Sequence, residues 1–493
     1  MNKNRNEISA PLRSLFSKSV IYSASHVFRQ IVNIVLIPVF TFFLSTEDFG
    51  IISLMSLTAG LILQITKTPV AHGFVRFFYE PVYGKIRKKL LFNSVIFALA
   101  NSAIVFLIFL YFADDISMLL LDSASYTNII IIYAVIILIQ PLEDILQDLV
   151  KVQKKAKLFF WFNTSNILLS SSLMIILLYF DYGVMSLVWG NLFISIYPLR
   201  FFANECCKNI KTQLNLKALK PLLKYGYPMI PASVSVILLQ SIDNYILKIF
   251  TDISTVGLYS FGYKFGGLMG FLVIIPIQYI VHPLILEMEK NKEKLLEFLS
   301  ASTEYIYIFS LFACIVLSLF AQDVVQIMAQ KPAFYPAWQF IPIIAFAYVQ
   351  YGLGDLLGQG VVMSGKTIYL GISISSAAIL NILLNLILIP EYGVFGAASA
   401  TLASYVFLNF LNYYYSKKLY NINVKFKSIY ISTVIFLIII LLGIFVKFEE
   451  LYLNLTYKTL LIMIFPLLLR SFKIIKNKDW EFIRDKINEK FRK

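Results

Sequence analysis

Residues 158–202 read LFFWFNTSNILLSSSLMIILLYFDYGVMSLVWGNLFISIYPLRFF. Two apolar runs, 158–180 and 183–202, meet at a turn whose only charge is Asp181. Each run has the twenty or so residues that an α-helix needs to cross about 30 Å of hydrocarbon. The pair therefore reads as a transmembrane hairpin. The same pattern continues on both sides. Apolar periods near 19–44, 49–79, 90–113 and 126–149 precede it, and others near 222–250, 254–284, 302–321, 338–363, 367–389, 393–416, 428–446 and 451–469 follow. The fold class is an all-α polytopic membrane protein with about 14 transmembrane helices. Composition agrees, because only 14% of the 493 residues are charged against about 25% in an ordinary globular protein.

A net charge of +15 raises the question of nucleic acid, and the positions of the basic residues answer it. Thirty-five of the 43 Lys and Arg residues lie in both tails and in alternate connections: 1–18, 85–89, 151–157, 200–224, 290–294, 366, 417–427 and 470–493. The opposite connections (TED, ADD, DYG, TDIS, PEYG, FEE) are short and acidic. Basic residues favour cytoplasmic loops, so both termini are expected in the cytoplasm and no nucleic acid is needed. The stretch 19–44 is too long for a signal-peptide core and reads as the first retained helix. Trp480, Ile483, Ile487 and Phe491 recur at helical spacing among basic residues, as in an amphipathic helix on an anionic leaflet. A solvated tail is the alternative. Cys206, Cys207 and Cys314 show neither a pairing nor a metal spacing, and they read as reduced thiols with no metal site.

Two turns recur. STEDFGIISLMS (45–56) is answered by TDISTVGLYSFG (251–262), and FDYGVMSLVWGN (180–191) by PEYGVFGAASAT (390–401). Gly50 and Gly257 are 207 positions apart, Gly183 and Gly393 210. The first twelve spans thus read as a duplication of six, and an even number of spans per unit makes the repeats parallel, related by a pseudo-twofold along the membrane normal. The expected organisation is a cytoplasmic segment 1–18, an N-lobe 19–202, a linker 203–221, a C-lobe 222–416, two further spans in 428–469 and the cytoplasmic tail 470–493.

The acidic turn with FGIISL, GFVRFFYE (73–80), LLKYGYPMIPASVSVILLQSIDNYIL (222–247), TVGLYSFGYKFG (255–266) and YGVFGAASATLASY (392–405) together resemble the polysaccharide repeat-unit flippases (O-antigen, capsule or teichuronic type) of the MOP exporter superfamily. The resemblance covers residues 15–470. It implies two six-helix lobes in a MATE-like V around a hydrophilic cavity, with spans thirteen and fourteen peripheral. It further implies alternating-access export of an undecaprenyl-diphosphate-linked oligosaccharide across a bacterial cytoplasmic membrane. The partners would be the lipid-linked oligosaccharide, membrane lipids and other polysaccharide assembly proteins.

Charges inside spans are the candidate site, because each costs at least about 2.5 to 3.5 kcal/mol unless it faces water or a partner. Arg29 lies some ten residues into the first span, with His26 and Asn33 about a turn away on a polar stripe. Lys67 precedes Pro69, whose missing amide can kink the long second span and open it to a cavity. Arg76 lies nearer the cytoplasmic end, where it can also snorkel into headgroups. Asp243 and Lys264 are expected at similar depth on antiparallel neighbours, which suits a salt bridge as well as separate ion and ligand roles. Asp355 sits among Gly352, Gly354, Gly358 and Gly360, with Gln359 nearby, a pattern of tight packing or of a bendable polar helix. Asp144 and Asp148, near Lys151, read as a local charge stripe. Arg29, Lys67, Arg76 and Lys264 would hold a diphosphate headgroup, and Asp243 or Asp355 would serve ion coupling.

The main alternative is a MATE-like multidrug or metabolite antiporter, although a cationic drug favours an acidic cavity and these charges lean basic. The arginine-rich signatures of lipid II exporters are missing near the first helices. A membrane-embedded polysaccharide polymerase or glycosyltransferase is a second alternative, but the outer connections are short and no acid/base pair stands out, so the chain does not read as an enzyme. No Walker A pattern appears, so ATP drive is not expected. No cofactor is called for beyond H⁺ or Na⁺ as a coupling ion. On this topology, cysteines placed at Asp181 and Glu391 of a cysteine-free variant should react with an impermeant maleimide added outside intact cells. Cysteines at Lys154 and Lys366 should react only after permeabilisation; the reverse pattern would invert the orientation.

Overall fold

The computed structural model describes residues 24, 25, 27–80, 87–209, 213–288, 291–446 and 448–474. The segment 1–18, His26 and the amphipathic stretch at the C-terminus lie outside them. Helices in chain order are α1 (Val27–Phe43), α2 (Thr46–Phe78), α3 (Arg87–Tyr111), the short α4 (Ala113–Leu121), α5 (Thr127–Val152), α6 (Ala156–Tyr179) and α7 (Val184–Asn209). They continue as α8 (Leu216–Gly226), α9 (Ile230–Phe250), α10 (Ile253–Gly266), α11 (Ile275–Met288), α12 (Lys292–Leu319) and α13 (Ala321–Met328). Last come α14 (Ile341–Met363), α15 (Ile368–Tyr420), α16 (Phe426–Phe445) and α17 (Leu451–Ser471). A π-helical turn, Met269–Ile274, joins α10 to α11. The described residues contain no strand, and eleven of their helices are long and apolar enough to cross a membrane.

The short polar turns act as caps and reversals. Ser45 Oγ accepts from Asp48 N at 3.2 Å while Asp48 Oδ2 accepts from Ser45 N at 2.8 Å, a reciprocal capping box that satisfies two free amides at the start of α2. The matched glycines Gly183 and Gly393 adopt nearly the same left-handed φ, +53° and +50°, which carries no Cβ penalty at glycine. At Gly393 the chain doubles back: a Cβ on Gly396 would lie 2.4 Å from Leu388 O, whereas residues eight apart on a straight helix are about 12 Å apart. Thus α15 is two antiparallel helical arms.

The chain forms two compact units. The first holds residues up to Tyr263 together with Gln326–Ala337 and Ile368–Ser404. Its axis is α2, which packs against α3, α5, α8 and α9. At 33 residues, α2 is about 50 Å long. Near its start it meets α10 backbone to backbone. A Cβ on Gly50 would lie 2.0 Å from Ile253 O, and one on Gly257 1.7 Å from Thr46 O. Thr46 precedes Gly50 by four residues and Ile253 precedes Gly257 by four, so the contact is reciprocal under the 207-residue repeat. Ser53 and Ser260, also 207 apart, hydrogen-bond to each other at 2.7 Å. Thr46 Oγ1 and Ser254 Oγ approach to 2.5 Å, and Asn244 Nδ2 donates to Ser53 at 3.2 Å. Farther along α2 a second close approach brings Pro69 O to 2.1 Å from where Gly226 would carry a Cβ.

The second unit holds Lys264–Val325, Trp338–Thr367 and the chain from Tyr405 onward. Here α12 packs against α14 and α16. The glycines of α14 are packing positions: Gly352 receives Ile274, Gly354 receives Asn409 and Gly360 receives Ser416. Gln350 ties the unit together, donating to Tyr307 OH and accepting from Asn409 Nδ2, both at 3.0 Å. Asn412 donates to the Gly354 carbonyl at 3.0 Å.

Because carbonyl oxygens occupy the seam, Gly50→Ala and Gly257→Ala should destabilise by upward of about 1 to 3 kcal/mol, the usual range of overpacking. Gly60→Ala, whose Cβ would meet only Ile237 Cδ1 at 3.7 Å, should leave the thermal midpoint unchanged or higher. Melting of the purified variants in detergent distinguishes them.

Candidate functional site

The charges embedded in helices cluster by unit. In the first, Lys67 lies eleven residues from the end of α2 and Asp144 eight from the end of α5, about 16 and 12 Å deep. Lys67 Nζ donates to Asp144 Oδ2 at 2.9 Å, with the two side chains about a quarter exposed. Asp148 and Glu143 also act on Lys67 electrostatically. Glu143 is buried, accepts from Gln147 Nε2 at 2.7 Å, and lies within electrostatic reach of Arg29. Arg29 itself is half-buried on α1, and Asn33 is exposed one turn on. Lys67 on α2 and Asp144 on α5 thus make a bridged pair, which the stripe-like spacing of Asp144 and Asp148 in sequence did not disclose.

Arg76, near the end of α2, stays exposed. Its guanidinium lies 4.5 Å from the Tyr225 ring centroid and 3.7 Å from Glu80 Oε1, a cation–π contact with a weak ion pair. Asp243 on α9 is buried, and its hydrogen bonds are with neutral groups. Tyr259 OH donates to Oδ2 at 2.6 Å, Thr401 Oγ1 reaches it at 3.4 Å and Asn244 N donates to Oδ1 at 3.0 Å. The salt bridge that register suggests between Asp243 and Lys264 gives way to this neutral cradle.

In the second unit Lys264 lies on α10, eleven residues into the span Ile253–Ile285, and is exposed. Asp355 Oδ2 meets His282 Nε2 at 2.9 Å. Gln359 is buried, with its amide nitrogen 3.3 Å from the same His282 nitrogen and 3.2 Å from the Asp355 carbonyl. Sequence reading named Asp355 and Gln359 but passed over His282, one of only three histidines in the chain. It also passed over Lys458, which pairs with Asp323 beside the Phe320 ring.

Other stray bases have structural partners. Lys248 bridges Asp122 at 2.7 Å and the Leu119 carbonyl at 2.9 Å. Lys331 Nζ donates to Phe43 O and Leu44 O at 3.0 and 2.9 Å, satisfying free carbonyls at the end of α1. Among the described residues no group of three or more His, Cys, Asp or Glu could hold a metal ion.

An apolar helical bundle with cationic and His/Asp groups sunk into its spans suits carriage of charge through a membrane. No curated protein sequence matches significantly. Among solved structures, "Lipid II flippase MurJ, inward closed conformation" is similar with a TM-score of 0.74 at 16% identity, over 92% of this chain and 99% of that one. An inward-facing multidrug resistance MATE family transporter of the MOP superfamily gives 0.62 at 13% identity, over 82% and 98%. The Vibrio cholerae MATE transporter VcmN in the bent form gives 0.52 at 14%, over 84% and 99%. These likenesses show the fold. The family model described as "Polysaccharide biosynthesis protein" matches residues 39–331, more than half of the chain, so this multi-pass membrane protein belongs to the polysaccharide biosynthesis protein family and carries the fold of the MOP superfamily flippases and transporters.

Proposed function

We propose that the protein is a flippase that moves an undecaprenyl-diphosphate-linked oligosaccharide repeat unit across the bacterial cytoplasmic membrane, both termini being cytoplasmic. The observation that carries this reading is Lys264, a basic side chain exposed eleven residues into an apolar span of a polysaccharide biosynthesis protein. Insertion of such a charge costs at least about 2.5 to 3.5 kcal/mol, and an ammonium at that depth attracts a diphosphate anion strongly. The two arms of α15, the shorter α1 and the 26-residue α7 add three spans to the eleven, which makes fourteen. Arg29 and Lys67 belong to a second group that also holds Glu143 and Asp144. Arg76 on its aromatic shelf would meet the headgroup at the end of α2. The sugar moves with the diphosphate while the isoprenoid stays in the bilayer. Energy comes from an ion gradient, with Asp243 or Asp355 as the coupling carboxylate, and transport requires no bond-making step.

Reconstituted vesicles holding a fluorescent undecaprenyl-diphosphate oligosaccharide should lose inner-leaflet label in a protein-dependent way, whereas vesicles loaded with a cationic drug should not lose it. Drug efflux without glycolipid movement would overturn the reading. Lys264→Gln should slow flipping by at least about tenfold, the effect of losing a desolvated charge contact, and Lys264→Arg should restore much of it. For the Lys67–Asp144 pair, Lys67→Asp with Asp144→Lys should recover the activity lost in either single variant if the bridge is structural. Failure to recover would assign Lys67 to the substrate.

A further inference from the structure

Of three histidines in the chain, His26 lies outside the described residues, and His72 and His282 lie within described spans. They are 210 positions apart, the offset that relates Gly183 to Gly393, and Asp148 and Asp355 are 207 apart, the offset that relates Gly50 to Gly257. Pro69 and Pro276, also 207 apart, fix the register of the two histidine-bearing helices. His282 therefore lies three residues past strict register, a step that keeps it on the same helix face. Each half of the repeat thus carries a histidine on its second span and an aspartate on its fourth.

The depth matches as well. His72 is six residues from the end of α2 and His282 six from the end of α11, about 9 Å in each case, and both ends adjoin Lys-rich connections. In the second unit the pair is a direct contact, His282 Nε2 to Asp355 Oδ2 at 2.9 Å with the neutral Gln359 beside it. In the first unit Lys67 and, more weakly, Asp148 act on His72 electrostatically; Lys67 is bridged to Asp144 at 2.9 Å and Asp148 to Lys151 at 3.2 Å, so among the described residues the direct His–Asp contact is the second unit's. His72 is exposed and the His282 side chain is 43% exposed. An accessible imidazole beside a carboxylate within an apolar span belongs against water rather than lipid.

Imidazole is the side chain whose charge ordinarily changes between pH 5 and 8. With the aspartate ionised, proton uptake turns a dyad of net charge −1 into a neutral ion pair, which is less costly to hold in a low-dielectric setting. We propose that His282 with Asp355 forms a proton-binding site, with His72 and Asp148 as its repeat-related counterpart, and that its loading from the Lys-rich end of the helices is linked to transport. The link to transport rests on the flippase reading; the proton site does not.

Three histidines make the test direct. Protein labelled with ¹³C in the imidazole rings and placed in lipid nanodiscs gives three ring environments, assigned with His72→Gln and His282→Gln. Both spanning histidines should titrate within about pH 5 to 8. Asp148→Asn should displace only the His72 curve and Asp355→Asn only the His282 curve. Rings that keep one charge state throughout, or curves indifferent to the paired aspartate, would overturn the site. In proteoliposomes, the ratio of flipping rates with and without an imposed pH gradient should fall to one in the double histidine variant; an unchanged ratio would overturn the link to transport. If the wild-type protein moves no lipid-linked oligosaccharide at all, the flippase reading fails while ring titration still decides the proton site.

Discussion

The contact between the starts of α2 and α10 governs how the first unit can be built. In a bilayer no hydrophobic force draws two apolar helices together, so association depends on close packing and hydrogen bonds. This seam has both. Gly50 and Gly257 admit the partner backbone, and the hydroxyls of Thr46, Ser53, Ser254 and Ser260 pair across it. Repeat-equivalent residues meet each other there, Ser53 with Ser260 and Gly50 with Gly257. The rest of α2 is then committed: Thr58 bonds Tyr245 at 2.6 Å, Lys67 meets Asp144, and Gly73 and Pro69 lie against the chain at Leu222 and Gly226.

Charge placement follows a second constraint, the expense of an isolated ion in hydrocarbon. Lys248 and Lys458 have carboxylate partners, Lys331 caps carbonyls, and Lys67 is bridged. Asp243 is the inverse case, an acidic group held by neutral donors alone among its hydrogen bonds. Among the described residues, Lys264, His72 and the edge residue Arg76 are exposed and the His282 side chain is 43% exposed. Function is expected where a charge can be reached from outside the helix packing.

Much of the architecture was legible in the sequence because its signals are local. Span length follows from apolar runs, and the equivalence of Gly183 and Gly393 follows from a shared turn that needs a left-handed residue. Side-chain pairing was less legible, since it depends on which helices become neighbours. Lys67 and Asp144 are 77 positions apart, and nothing in either segment announces the other. Asp243 and Lys264 failed in the opposite way: their depths suggested a pair, yet Asp243 found Tyr259 and Thr401 instead. The glycines around Asp355 were ambiguous between packing and bending until Ile274, Asn409 and Ser416 were seen to fill their faces. His282 could have been found earlier by applying the repeat offset to the few histidines as well as to the turns.

The reversal at Gly393 bears on how the chain enters the membrane in the first place. Between the two arms of α15 stand only a few turn residues, and Glu391 is the sole charge among them. So short a connection leaves no segment that could rest in water while one arm alone occupies the bilayer, and an arm left outside would present about twenty apolar residues to solvent. The two arms are therefore bound to each other's place: an arm held in hydrocarbon keeps the other within a few residues of it. Gly393, with its φ of +50°, is what lets the chain turn back within so few residues.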